Sequence, residues 1–424
     1  MAFILQGGNV VDFNTGDIRR LDVVVEKDRI AGIIPENEPA ADSRPSHVIN
    51  ISGMLLVPGL IDMHTHLREP GQEYKETIES GCAAAAAGGF TAVACMPNTI
   101  PCNDTPELTE HILEKSKNAK VRVFPVGAIS KNLAGKELVD FAALKNAGAA
   151  AFSDDGRAVM DSSLMCSALK EIKKLGSVAI CHSEDMSLSS GGVINDGSVS
   201  RKLGLKGIPS SAESIMVYRD VSLADYTGCH VHIAHVSTAE SVFIIKRAKE
   251  QGIHVTAETA PHYWSLNEDA VFIYGSNAKM NPPLRTKSDV KAVRDGLSDG
   301  TIDIIATDHA PHSSEEKNKG LPEAPFGITG LETALPLALS LVKDNVLSLD
   351  KMISKMTILP ADILGIDGGL IKIGALADLT VIDLDYEFIL QPEDFISKSS
   401  NSPFAGSKLT GKAMMTFVGG NRVW

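Results

Sequence analysis

Several side chains of this 424-residue sequence could together hold metal ions. They are His64, His66, His182 and His235, the carboxylate pair Asp154-Asp155, and Asp308. Imidazole and carboxylate donors without thiolate suit Zn²⁺, with Mn²⁺ and Co²⁺ as alternatives. Four histidines and two aspartates are too many for one four-coordinate ion that must keep an open position. They fit two ions sharing a carboxylate bridge. Ions roughly 3.5–4 Å apart can hold a hydroxide between them and polarise a carbonyl. The remaining aspartate is then available as a general base. The chemistry this describes is metal-assisted hydrolysis of an amide.

These residues need a scaffold that brings distant segments to one place. Apolar, β-branched runs recur at Leu60–His64, Thr91–Met96, Val121–Val126, Ala149–Ser153, Val178–His182, His230–His235, His254–Glu258 and Ile302–Thr307. Helical patterns fall between them at Tyr74–Ala87, Glu107–Lys117, Leu138–Ala147, Ser163–Leu175, Ala239–Gln251 and Lys287–Leu297. Eight alternating β and α units predict a parallel (β/α)8 TIM-like barrel, with its site at the C-terminal ends of the strands. An open doubly wound sheet would want a glycine-rich phosphate loop after the first strand, where His64-Thr65-His66 stands instead. Strand alternation points His64 and His66 the same way. Five barrel strands ending in His or Asp is hard to explain as packing, because such groups are costly to bury unless paired or ligated.

Short strand patterns at both termini predict a small composite β-sandwich domain from residues 1–56 with 366–424, the barrel occupying 57–365. Two connections are long. Residues 185–228 carry a Gly/Ser-rich loop, and 312–330 is a polar segment that could be a lid or a plain surface loop.

Apolar residues make up 44% and charged residues 22%, the balance of an ordinary globular chain with a sizeable core. A net charge of −13 repels nucleic acid and anionic membranes. It also opposes a small anionic substrate, which would need a local cationic site. The six cysteines include no C-x-x-C pair and read as reduced core thiols of a cytoplasmic protein. The start, MAFILQGGNVVDF, carries no signal-peptide pattern, and no apolar stretch reaches the length of a membrane span.

The motifs are specific in combination. Asp62-Met63-His64-Thr65-His66-Leu67-Arg68-Glu69-Pro70-Gly71, Met96-Pro97-Asn98-Thr99, Ala234-His235-Val236-Ser237-Thr238 and Ala306-Thr307-Asp308-His309-Ala310-Pro311-His312 together resemble the bacterial dihydroorotase family of the amidohydrolase superfamily. The resemblance runs nearly the whole chain. It implies that His64, His66 and Asp308 hold a first metal, and that His182 and His235 hold a second. It implies two Zn²⁺ per subunit, bridged by a hydroxide and by a strand-four aspartate rather than by a carboxylated lysine. Asp155 is the choice by its spacing to His182 in that branch, with Asp154 the alternative; Lys145 lies earlier, on the preceding helix.

The resemblance also implies a substrate with a ring carboxylate. Arginine offers a planar two-donor grip on such a group, and Arg68 follows His66 by two. Asn98 and His312 would help hold the carboxylate. Asn281 and the backbone at Phe326-Gly327 would hold the ring. Asp308 would move the proton from hydroxide to the leaving nitrogen. The implied reaction is reversible hydrolysis of dihydroorotate to N-carbamoyl-L-aspartate, the third step of de novo pyrimidine biosynthesis. A homodimer and an association with aspartate transcarbamoylase are the partners it allows.

Two other functions compete. An allantoinase or hydantoinase would not need Arg68. A silent dihydroorotase-like subunit supporting a transcarbamoylase would have lost metal ligands, and every expected ligand is here. Other histidines read as structural: His47 and His111 in surface segments, His309 beside Asp308, and His230 and His232, which alternation turns away from His235. His262 follows strand seven on the active face and is a candidate for lining the site.

Overall fold

The structure is a computed structural model that describes residues 2–13, 15–35 and 47–424. Its first barrel strand, Leu60–Thr65, is buried along its whole length, as a strand covered on both faces must be. Seven more parallel strands follow: Phe90–Cys95, Arg122–Gly127, Ala151–Phe152, Val178–Cys181, His230–Ile233, Val255–Thr259 and Ile304–Ile305. Each pairs with the next in chain order. Closure comes from a parallel bridge between Thr65 and His309 and from Thr307 donating to the buried Asp62 carboxylate (N to Oδ1 3.1 Å, Oγ1 to Oδ2 2.5 Å). The predicted eight-stranded parallel barrel is therefore present, with strands four and eight shorter than their apolar runs suggest. A cluster including Met63, Ala94, Val126, Ala151, Ile180 and Ile304 packs with Leu364.

The helices form where capping and periodicity coincide. Asp161 caps Ser162–Lys174, accepting from Ser163 and Leu164 N–H, and Met165, Ala168, Leu169 and Ile172 make its buried stripe at i, i+3, i+4 and i+7. Each large apolar side chain buried this way contributes roughly 1.5–3 kcal/mol. Ile78–Ala87 is alanine-rich, and Ala84, Ala85 and Ala86 are fully buried, so it approaches its neighbours closely. This helix starts later than the periodicity predicts. Thr77 forms a capping box with Ser80, which fixes the first turn at Ile78 and leaves Tyr74 and Lys75 in the preceding turns.

The 185–228 connection is more ordered than its Gly/Ser content implies. It holds a two-stranded ribbon (Ile194–Asn195 with Gly207–Ile208) and a helix over Ser211–Thr227. Glu213 on that helix accepts from Ser237 N (3.0 Å) and Thr238 N (3.1 Å), fastening it to the end of strand six. The 312–330 segment contains one helical turn, Ser314–Lys317.

Strands from both termini share one sheet. Leu55–Pro58 pairs in parallel with Ala2–Val11 and antiparallel with Leu379–Ile389, which pairs with Lys408–Val418. Phe3, Leu5, Val23, Ile30, Leu379, Val381 and Phe417 form its core. Arg122 on barrel strand three makes a two-pronged ion pair with Asp378 (2.8 and 3.2 Å), linking barrel and sheet.

Candidate metal centre and active site

The barrel mouth collects the predicted ligands. His64 and His66 stand at the end of strand one, Asp155 follows strand four, His182 strand five, His235 strand six and Asp308 strand eight. Two sets of donor atoms result, His64/His66/Asp155 and Asp155/His182/His235, with the atoms of each set within 4.8 Å of one another. Asp155 is common to both. His64 Nε2 and His182 Nδ1 lie 3.4 and 3.5 Å from its Oδ1, and His66 Nε2 lies 3.5 Å from its Oδ2. Asp308 Oδ1 sits 3.1 Å from His66 Nε2 and 3.6 Å from His64 Nε2. Asp154 points elsewhere: it accepts from Ile129 N (2.8 Å) and Ser130 N (3.0 Å) and from the Ser130 hydroxyl.

The outer hydrogen bonds fix which ring nitrogens face inward. Glu258 Oε1 accepts from His64 Nδ1 at 2.5 Å. Asn98 Oδ1 accepts from His66 Nδ1 at 2.9 Å, while its Nδ2 donates to Asp155 Oδ2 at 3.1 Å. Glu184 Oε2 accepts from His182 Nε2 at 2.7 Å and is itself held by Asn281 Nδ2 at 2.8 Å. The inner nitrogens of these rings then carry lone pairs. His64 Nε2 is buried with no hydrogen-bond partner. His182 Nδ1 and His235 Nε2 are 2.8 Å apart, and His66 Nε2 faces a carboxylate oxygen. A buried, unpartnered imidazole nitrogen among further imidazoles and a shared carboxylate is a donor set that fits divalent metal.

Burial disfavours charge on Asp155, but the surrounding histidines, His64 foremost, outweigh it and hold the carboxyl well below the usual carboxylate range. Burial of Asp308 is likewise outweighed, by its contacts with His66 and His64. Asp154 behaves oppositely: burial pushes it up to about 6. Burial lowers Arg68 to about 10, still high enough to keep its charge at neutral pH.

A cavity of about 180 Å³ opens onto this centre. Its walls include His66, Asp155, Asp308, Arg68, Asn98, Asn281, Phe326 and Gly327. Arg68 does not continue the strand that carries His66. The strand stops at Thr65 and Arg68 has φ +60°. His235 (φ +37°) and Asp308 (φ +49°) share this left-handed conformation, strain of the kind that clusters at functional sites. Gly327 (φ +126°) admits no side chain, since a Cβ there would meet the Ala310 carbonyl at 2.8 Å and His312 Nε2 at 3.2 Å. His312 stands behind Arg68, its Nε2 3.3 Å from Arg68 Nη2 and 2.8 Å from the Phe326 carbonyl.

Asn98 and Asn281, predicted to face a substrate, line the cavity but also brace the ligands. Glu258, Glu184 and His232 escaped the sequence reading. His232 Nε2 lies 3.2 Å from Glu258 Oε2, so it supports His64 through that carboxylate. In sequence it reads as a structural residue turned away from His235, and it is no ligand but a brace that acts through Glu258. The signal that was available is Glu258 itself, a carboxylate inside a barrel strand. His262 is buried beside the centre with Nε2 unpartnered, but it does not line the cavity.

Fold and site together define an amidohydrolase-type barrel with a histidine–carboxylate centre at its mouth. In structure the chain is similar to the L-hydantoinase (dihydropyrimidinase) of Arthrobacter aurescens, with a TM-score of 0.89 at 26% identity over 99% of this chain and 95% of that one. The dihydropyrimidinase of Brevibacillus agri superposes with a TM-score of 0.85 at 22% identity, over 100% and 95% of the two chains. In sequence, the Dihydro-orotase-like family profile matches residues 53–241. The dihydroorotase of Geotalea daltonii is 50% identical over 100% of this chain and 99% of its own. That of Geobacter metallireducens is 50% identical over 100% of both. The chain belongs to the dihydroorotase family.

Proposed function

We propose that the protein catalyses the reversible hydrolysis of dihydroorotate to N-carbamoyl-L-aspartate. One observation carries the reading: Arg68, a half-buried guanidinium, lines the same small cavity as the shared carboxylate Asp155 and the candidate base Asp308. A cyclic amide bearing a carboxylate answers that pairing, with the carboxylate on Arg68 and the ring carbonyl toward Asp155.

Two divalent ions, zinc in this reading, would be held by His64, His66 and Asp308 and by His182 and His235, with Asp155 between them. When bound they supply carbonyl polarisation and an activated water at neutral pH. The chain's own groups do the rest. Arg68 and His312 orient the carboxylate, and Phe326 and Gly327 offer backbone to the ring. Asn98 and Asn281 hold His66 and Glu184 in place and face the substrate. Asp308 accepts the proton released by water and delivers it to the departing ring nitrogen. In reverse the same groups close carbamoyl aspartate, the direction of pyrimidine synthesis.

Homodimerisation and association with aspartate transcarbamoylase are proposed on the family resemblance alone. A cytoplasmic setting is supported by six free cysteines. The deciding experiment measures the metal content of the purified protein and compares its turnover of dihydroorotate, allantoin and hydantoin. Turnover of hydantoin or allantoin without dihydroorotate overturns the reading.

A further inference from the structure

Lys75 is 7% exposed, in the turns that precede the Ile78–Ala87 helix. Its Nζ lies 3.2 Å from His312 Nδ1 and 3.1 Å from Glu316 Oε1. An ammonium can only donate, so His312 Nδ1 must accept, and the ring proton must sit on Nε2. The other side of the ring requires the same arrangement, because Nε2 faces the Phe326 carbonyl at 2.8 Å. Arg68 Nη2, 3.3 Å from that Nε2, is also a donor. The single ring N–H is therefore given to the Phe326 carbonyl, and His312 stands behind Arg68, Phe326 and Gly327, which line the cavity. Glu316 ties the turn Ser314–Lys317 to the same lysine and accepts from Tyr74 Oη at 3.0 Å.

We propose that Lys75 is a positioning residue that holds His312 as its Nε2–H tautomer, so that His312 donates to the Phe326 carbonyl and fixes the cavity wall beside which Arg68 meets the substrate carboxylate. This rests on the carboxylate reading given above. Lys75 does not touch the substrate. It acts through the imidazole, and through Glu316 it anchors the segment that leads to Phe326 and Gly327. Without it, Glu316 Oε2, 3.5 Å from His312 Nδ1, competes with the Phe326 carbonyl for the ring proton.

The test is ¹⁵N NMR of histidine-labelled holoenzyme, with the His312 signals assigned by His312→Gln, alongside steady-state kinetics on dihydroorotate. In the wild type His312 is the Nε2–H tautomer. Lys75→Met gives a mixture of tautomers, and KM rises about tenfold while kcat changes little, the size of one lost hydrogen bond to a charged group. Lys75→Arg, which keeps a donor, restores the tautomer and part of the KM. Glu316→Gln removes the carboxylate that competes for the Nδ1 proton while Lys75 still donates there, so the Nε2–H tautomer is kept. An unchanged tautomer in Lys75→Met, or a shifted tautomer with an unchanged KM, overturns the inference. A wild-type enzyme inactive on dihydroorotate instead removes the functional reading, and the NMR arm, which needs no turnover, keeps the two failures apart.

Discussion

Glu258 Oε1 lies 2.5 Å from His64 Nδ1, and this contact turns His64 Nε2 toward Asp155, 3.4 Å away. Glu258 is 1% exposed, and its second oxygen is held by His232 at 3.2 Å. A ligand ring held this way has one tautomer and one orientation before any metal arrives.

Replacing Glu258 with glutamine keeps the shape and removes the charge. The expected result is a loss of metal affinity of about 10- to 100-fold with the fold intact, since partners of this kind typically carry that much. Competition with a chromophoric chelator measures it, and circular dichroism checks the fold. Unchanged affinity would mean that Glu258 is a core residue with no part in the centre.

Arg68→Met removes the guanidinium while retaining an apolar chain. Its catalytic efficiency toward dihydroorotate should fall by roughly 10- to 100-fold, the size of one lost charge-assisted hydrogen bond. Activity toward a ring without the carboxylate, such as dihydrouracil, should be spared. Steady-state kinetics on both substrates decide it. An equal loss on both would assign Arg68 to the architecture of the cavity rather than to the carboxylate.

Asp308→Asn leaves a side chain of the same size that cannot take a proton. The expected outcome is a fall in kcat of roughly 10²- to 10⁴-fold with KM within a few-fold of wild type. Metal analysis of the variant must accompany the kinetics, because Asp308 also stands 3.1 Å from His66 Nε2. Retained metal with lost turnover identifies the proton carrier; lost metal identifies a ligand instead.

Glu332 gives a prediction about stability. Burial, reinforced by nearby Glu76, pushes its carboxyl up to about 7 from an ordinary 4.5. A carboxyl that binds its proton more tightly in the folded chain favours folding below pH 4.5, and that advantage is lost as pH rises through about 7. Glu332→Gln imitates the protonated form. It should therefore stabilise the protein at pH 8 by something on the order of 1–3 kcal/mol and change little at pH 4.5. Thermal unfolding of both proteins across this range tests it, and a pH-independent difference would refute it.

The barrel was legible because its strands are buried on both faces, so each writes a continuous apolar run into the sequence. Val178–Cys181 is such a run, and Leu60–Thr65 is buried as fully although Asp62, His64 and Thr65 interrupt its apolar residues; both were placed within two residues of their observed ends. The metal donors were legible for a related reason: histidine and aspartate at strand ends have few structural excuses. What the sequence could not show was direction. Asp154 and Asp155 are neighbours of one type, and only the fold turns one into Ser130 and the other toward four histidines. Strand alternation separated His232 from the ligands but could not show that it meets Glu258, the brace of His64. The bracing groups, Glu258 and Glu184, were hidden for the same reason as the Lys75–His312 contact. Their partners lie 194, 2 and 237 residues away along the chain, and hydrogen-bond geometry rather than spacing decides whether such groups meet. Residue types and strand ends thus determined which chemistry the chain carries. Tertiary structure decided which nitrogen and which oxygen face inward, because a ring's free lone pair depends on what holds its other side.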